Sequence, residues 1–186
     1  MKTRLSNIAQ IQTGIYARPT GFGELVYLQS KHFSENGRLN SLLAPDLFSS
    51  GISQKHLLSQ GDILFAAKGT KNFAAVFEKH NLPAVASTSF FVIRLISHKV
   101  LPEYLAWFLN TPQTQSLLKS QAMGTSIPSI SKQVMEALEI PIPSHEKQKL
   151  AVSIYQLRKA EKEIQIKLEA LRENKIQLQI LNAINS

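Results

Sequence analysis

The segment that decides the fold is residues 144–186, SHEKQKLAVSIYQLRKAEKEIQIKLEALRENKIQLQILNAINS. From Glu146 to Asn182 it contains neither proline nor glycine, and strong helix formers dominate it. A helix of roughly 40 residues is about 60 Å long at about 1.5 Å per residue, which exceeds the width of a small domain. Ser144 is well placed to cap its N terminus. We therefore predict one long C-terminal helix.

Leucine and isoleucine recur at every seventh residue of this helix, as in one seam of a heptad repeat. The complementary seam, four residues further on, is interrupted by Glu161, Lys175 and Asn182. A stripe of this length needs a second long helix to cover it, from another chain or from another part of the same protein. The alternative is a terminal helix packed back on its own domain. The predicted coiled-coil contacts are Leu150, Ile154, Leu157, Ile164, Leu168, Leu171, Leu178 and Leu181.

The composition describes a basic globular chain. Its 186 residues are 44% apolar and 18% charged, with a net charge of +8, spread over both the helix and the residues before it. An excess of this kind favours a polyanionic partner, with nucleic acid first. The absence of cysteine excludes a disulfide scaffold, a thiolate metal site and a cysteine nucleophile. Neither a signal peptide nor a long apolar span is recognisable, so we expect a soluble cytoplasmic protein without membrane contact.

Residues 1–98 are predicted to be mainly β. Short helices are predicted between this region and the long helix. The segment Leu5–Thr13 fits a helical turn or a strand equally well. The aromatic group around Trp107 is predicted to be core. Strands are predicted at 24–29, 61–67, 73–77, 83–86 and 88–96, and helices at 102–109, 112–121 and 131–138, giving an α+β fold. Ser53 is predicted to cap a short helix through Leu58, and Ser131 to cap the helix that ends at Leu138.

Basic, aromatic and small polar residues occupy the loops between these elements. Lysine and arginine bind phosphates or guanine, and asparagine forms a bidentate pair with adenine. Ordinary solvated loops are the alternative at each position. The candidate residues for contacts with a nucleic acid are Tyr16 and Arg18 in a glycine-rich loop, Lys31 and His32 after a strand, Lys68, Gly69, Thr70, Lys71 and Asn72 in a basic hairpin loop, and Thr125 and Ser126 in a small-residue loop.

The motifs of common enzyme classes are missing from the sequence. It contains no phosphate-binding loop, dinucleotide fingerprint or Gly-x-Ser-x-Gly elbow, and its five histidines are isolated from one another. The acidic residues of the β region, Asp46, Asp62 and Glu78, show no spacing that groups them as metal ligands. We predict a protein that is not an enzyme and that uses no metal or cofactor.

Three stretches in this order resemble one half of a type I restriction–modification specificity subunit. The first is GDILF at 61–65, leading to Lys68 and Gly69; the second is PEYLAWFLN at 102–110. The third is GTSIPSIS at 124–131, followed by IPIPSHEKQ at 140–148 and then by the long helix. The resemblance implies a target recognition domain, residues 1–143, followed by a spacer helix, residues 144–186, that pairs with a second helix as an antiparallel coiled coil.

The resemblance also implies a function. The chain would read one half of a bipartite site in double-stranded DNA and dock the methyltransferase (modification) subunit, with the restriction subunit joining indirectly. Because full family members contain two such units, this chain is expected to be a half-subunit that forms a homodimer, or an excised half. From the residues alone, a basic coiled-coil adaptor or assembly protein that binds protein or RNA remains the alternative.

Overall fold

The computed structural model describes residues 2–34, 37–40, 42–69, 71–79, 83–124 and 128–185. The chain divides into two compact units, Met1–Gln148 and Lys149–Ser186. The first unit holds the strands and short helices given below. The second unit consists of the greater part of the long helix.

The described residues confirm the predicted α+β class. Three short 3-10 turns accompany the regular elements, at Leu5–Asn7, Ser30–His32 and Gln54–His56. The strands are β1 (Lys2–Arg4), β2 (Ala9–Thr13), β3 (Val26–Leu28), β4 (Ile63–Ala66), β5 (Ala74–Val76), β6 (Ala84–Ala86), β7 (Phe90–Leu95) and β8 (Glu139–Pro141). The helices are α1 (Pro102–Leu109), α2 (Pro112–Ser120), α3 (Lys132–Ala137) and α4 (His145–Asn185).

The central element of the first unit is a four-stranded antiparallel sheet in the order β2-β7-β4-β5. A parallel pair, β3 and β6, packs on one face of it, where Leu28 shares a buried cluster with Leu64 and Val92. Successive side chains of a strand point to opposite faces. The fully buried Ile63 and Ile93 therefore face the other side. Helix α1 packs against β5 at the edge of this sheet.

An ion pair joins the start of β4 to β7 inside this unit. Arg94 donates from Nε to Asp62 Oδ1 at 2.8 Å and from Nη2 to Asp62 Oδ2 at 2.6 Å. The backbone N–H of Ser59 also donates to this carboxylate. The hydrogen bond from Arg94 to Asp62 raises the pKa of the guanidinium. Asp62 is thus a structural residue, and no cluster of three or more metal-ligating side chains occurs among the described residues.

The half-buried side-chain amide of Asn110 covers part of the edge of the sheet. The side chain of Asn110 donates to the carbonyl of Ala74 at 2.7 Å and accepts from its N–H at 2.8 Å. It therefore pairs with the edge strand β5 as a neighbouring strand would, and it covers part of an edge that could otherwise pair with another chain.

The first turn of α4 is fixed to the domain by Gln148, which is completely buried. Its Oε1 accepts the N–H of Leu101 at 2.9 Å, and its Nε2 donates to the carbonyls of Lys99 and Pro143 at 2.7 and 2.9 Å. The ring of His145 adds a 2.8 Å hydrogen bond to the carbonyl of His98. These contacts tie the helix start to the segment that follows β7.

Helix α4 is 41 residues long, as the absence of proline and glycine predicted. The predicted coiled-coil side chains are exposed, from 45% at Leu168 to 70% at Leu157. No helix among the described residues has both the length and the apolar character that spanning a bilayer requires.

The structure resolves or corrects three local predictions. The ambiguous segment Leu5–Thr13 contains both alternatives, a 3-10 turn followed by β2. Ser53 precedes a 3-10 turn but its side chain makes no capping hydrogen bond. The core prediction for the Trp107 group is right for Leu105 and Leu109, whereas Trp107 itself and Phe108 are only half-buried.

Replacing Gln148 by alanine should lower the free energy of unfolding by about 2–4 kcal/mol, because it removes the three hydrogen bonds that this buried side chain makes with backbone groups. Gln148→Glu should be at least as damaging at neutral pH, since a carboxylate cannot donate to two carbonyls. Urea unfolding followed by circular dichroism measures both. Lys149→Ala, at the next and exposed position, is the control. Equal stabilities of Gln148→Ala and Lys149→Ala would contradict the anchoring role.

Candidate nucleic-acid interface

The register of the four-stranded sheet brings two predicted loops to one end of it. Thr13 at the end of β2 pairs with Phe91, and Ala66 at the end of β4 pairs with Phe90 at the start of β7. The glycine-rich loop follows β2, and the basic loop joins β4 to β5. Both loops therefore leave the sheet beside the N-terminal end of β7. We call this side the loop end.

The parallel pair brings a third predicted segment to the loop end. Leu28, the last residue of β3, pairs with Ala86, and its carbonyl accepts the N–H of Ser87. The 3-10 turn with Lys31 and His32 follows β3 directly. The ring of Phe33, the next residue, stacks 5.5 Å from that of Phe90 between centroids. This turn therefore lies at the same end as the other two loops.

The fourth predicted loop is tied to the basic loop by backbone hydrogen bonds. Gly69 donates to the carbonyl of Pro128 at 2.9 Å, and Ile130 donates to that of Ala67 at 2.9 Å. Met123 and Ser129 pair with each other through both backbone groups. The described ends of the small-residue loop thus lie beside Lys68. Thr70, Thr125 and Ser126 lie outside the described residues.

Glycine in the first loop permits close packing within the domain. A Cβ on Gly14 would lie 2.2 Å from the carbonyl oxygen of Ser87, and one on Gly23 would lie 2.3 Å from that of Leu47. Both positions therefore exclude any side chain.

A buried tyrosine that sequence reasoning missed positions the start of this loop. The hydroxyl of Tyr27 donates to the carbonyl of Ile15 at 3.0 Å and accepts the N–H of Ala17 at 3.2 Å. The backbone on both sides of Tyr16 is therefore held, while the Tyr16 side chain is 74% exposed. Its hydroxyl accepts a 3.2 Å hydrogen bond from Nε of Arg18. Together they present an aromatic ring and a guanidinium on a fixed backbone.

The basic loop is closed by a side chain that the sequence predicted to contact a base. Asn72 donates from Nδ2 to the carbonyl of Ala66 at 2.8 Å, across the hairpin. This bond uses part of the amide that a bidentate contact with adenine would need. The side chains of Lys68 and Lys71 are exposed. Asn72 therefore supports the loop, and the two lysines form its outward surface.

His32 also has a structural bond. Its Nδ1 accepts the backbone N–H of Gln29 at 3.3 Å within the 3-10 turn. Burial, followed by the charge of Lys31, lowers the pKa of His32, and Asp46 opposes this only in part. The net effect favours the neutral imidazole. Lys31 carries the positive charge of this segment.

The loop end thus combines four cations from three loops with an exposed tyrosine. The cations are Arg18, Lys31, Lys68 and Lys71, and the start of α4 is anchored beyond the opposite end of β7. Cations on loops that a rigid sheet supports are suited to a phosphate backbone, and polar loop side chains are suited to base edges. The protein therefore belongs to the class in which a basic α+β domain, with exposed loops at one end of its sheet, is followed by a long helix.

Comparison with protein families assigns that class. The model described as "Type I restriction modification DNA specificity domain" matches residues 30–178, which is most of the chain. The protein belongs to this family. Membership agrees with the prediction of a recognition protein rather than an enzyme. The comparison with curated proteins gives no match.

Solved structures of specificity subunits share the fold. The HsdS subunit from Thermoanaerobacter tengcongensis is 21% identical, with a TM-score of 0.68 over 96% of this chain and 47% of that one. The S subunit from M. genitalium is 17% identical, with a TM-score of 0.57 over 84% of this chain and 38% of its own. A chain from a study of complex assembly in the type I restriction–modification system is 17% identical, with a TM-score of 0.64 over 91% of this chain and 42% of that one. This chain spans less than half the length of each.

Binding of a nucleic-acid duplex at the loop end should depend on the positive charge of Lys68. Lys68→Glu should weaken duplex binding roughly tenfold or more and make its salt dependence shallower by about one unit. Fluorescence anisotropy at several salt concentrations measures both. Lys99→Glu makes the same charge change at an exposed position beyond the opposite end of β7. Equal losses in both variants would indicate a non-specific effect of net charge.

Proposed function

We propose that residues 1–143 of this chain recognise one half of a bipartite sequence in double-stranded DNA. The observation that carries the proposal is that the loops with Arg18, Lys31 and Lys68 all leave the domain beside the start of β7. Lys68, Lys71 and Arg18 would contact phosphates or guanine, and Tyr16 would contact sugars or base edges. Membership of the DNA specificity family supports the choice of DNA over other polyanions.

The proposed role of the spacer helix, residues 144–186, is to pair with the same helix of a second chain. The seam from Leu150 to Leu178 is exposed along its length, and leaving it in water is costly, since burying one leucine contributes about 1.5–3 kcal/mol. An antiparallel pair has two-fold symmetry. Two recognition domains would then lie a fixed distance apart and read two inverted half-sites. The covered share of the solved subunits, less than half, fits one of two such units.

The pair is proposed to serve partner subunits in the cytoplasm. A methyltransferase subunit would dock on the helix region and carry out the chemistry on the DNA that this chain selects, and it would bind the methyl donor. The restriction subunit would join through that complex. The similarity to a chain from work on complex assembly of a type I system supports this role.

Selection of random duplexes by the purified chain, alone and with a methyltransferase subunit, tests the proposal. The expected product is a palindromic motif made of two short half-sites and a gap of constant length. The Lys68→Glu variant should recover the motif poorly, and Lys99→Glu should recover it normally. A motif with a single half-site would contradict pairing, and preference for RNA or for no nucleic acid would favour the adaptor alternative.

A further inference from the structure

The part of α4 from Ile176 to Asn185 differs from the rest of the helix. It carries no charged side chain, the last one being Lys175. Ile176, Ile180 and Ile184 are 50%, 54% and 73% exposed. An uncharged helical segment with so much exposed apolar surface is typical of a buried element or of a contact site.

These isoleucines lie on a different face from the heptad seam. Ile180 is nine residues from Leu171, which is two and a half turns at about 3.6 residues per turn, so the two point in opposite directions. Ile176 and Ile184 are four residues to either side of Ile180 and share its face. Earlier in the helix the corresponding face carries charges, including Lys162 and Glu163. Ile166 is an exposed apolar residue on that earlier face, but it stands among charges. The C-terminal quarter has no charge on either face, so a single partner helix cannot cover all of its apolar surface.

The domain that precedes α4 has a groove of about 600 Å³ that is apolar, like the Ile176–Ile184 face. It lies between α1, α2, α3 and the β1–β8 pair, and Leu117 on its wall is 47% exposed. Tyr104 lines it and donates to the carbonyl of Pro141, which places the groove close to the residues that precede α4. Its apolar lining is Trp107, Phe108, Leu117, Val134, Leu138 and Pro141.

Antiparallel pairing would bring the two surfaces together. If the two-fold axis crosses the middle of the seam near Ile164, Ile180 and Ile184 of one chain lie level with Gln148 and Ser144 of the other. They are then beside the segment that begins with Pro141 of that other chain. In a parallel pair the same isoleucines would lie level with each other, about 50–60 Å from either helix start. The apolar second face at this position therefore favours the antiparallel arrangement.

We infer that the Ile176–Ile184 face of each helix docks in the Trp107–Leu117 groove of a second copy of this chain. The inference rests on the proposed pairing and deepens it. A stable dimer buries about 1,600 Å² in total, and a seam interrupted by Glu161, Lys175 and Asn182 is a weak source of that area. Docking of the helix ends adds apolar contact on both sides of the pair. It also fixes each domain relative to the helix of its partner.

Engineered disulfides test the inference, because the chain has no cysteine of its own. Leu117→Cys and Ile180→Cys would be introduced into separate chains that carry tags of different size, then mixed and oxidised. The expected result is a disulfide-linked species that contains one chain of each kind. Lys162→Cys replaces Ile180→Cys in the control, and its mixture with Leu117→Cys should give only background cross-linking. Light scattering measures the mass of every sample before oxidation.

The outcomes separate the inference from the proposed function. A dimeric mass with no Leu117–Ile180 cross-link overturns the docking and leaves the pairing intact. Cross-linking only within a Leu117→Cys/Ile180→Cys double variant, as a monomer, overturns it in favour of a contact within one chain. Cross-linking of Ile180→Cys only to an added methyltransferase subunit overturns it in favour of that partner. A monomeric mass with no bipartite DNA motif rejects the pairing itself.

Discussion

Hydrogen bonds on both sides of β7 decide where the loops of this domain lie. The strand pairs with β2 and β4, so that the last residues of β2 and β4 lie beside its first residue, Phe90. The other end of β7 leads to the residues that hold Gln148. Six residues span about 20 Å at about 3.4 Å each. The basic loops and the start of the long helix are therefore held at opposite ends of one short, rigid element. The proposed spacing of two recognition surfaces depends on this separation as much as on the helix.

Much of the fold was predictable because its signals are local. A continuous apolar run that enters from Gly61 and a return from Phe73 predicted the β4–β5 hairpin, and Ser131 predicted the start of α3 through its side-chain cap. The parallel pairing of Val26–Leu28 with Ala84–Ala86 was not predictable, because it joins segments more than fifty residues apart. The 3-10 turn before β2 was ambiguous, since Leu5, Ile8 and Ile11 fit a helical period while the strand alternates.

The candidate site was predicted as a set of loops, but their supports were not. Polar side chains are usually solvated, so no sequence signal indicated that Gln148 is buried or that the amide of Asn110 pairs with a strand. Tyr27 had the sequence pattern of an ordinary strand residue. Its role depends on Ile15 and Ala17 lying over it, which only the tertiary structure shows. Asn72 was assigned to the surface from its neighbours, whereas its amide closes the loop from inside.

The bonds that join the basic loop to the small-residue loop have a consequence for how such a domain could change. Gly69 meets Pro128, and Ala67 meets Ile130, through main-chain groups alone. Because these links do not depend on the identity of neighbouring side chains, the exposed Lys68 could be exchanged for other residues at little thermodynamic cost. A scaffold of this kind is open to drift in what it recognises while its architecture stays constant, and it offers an engineer a ready position for grafting new specificities.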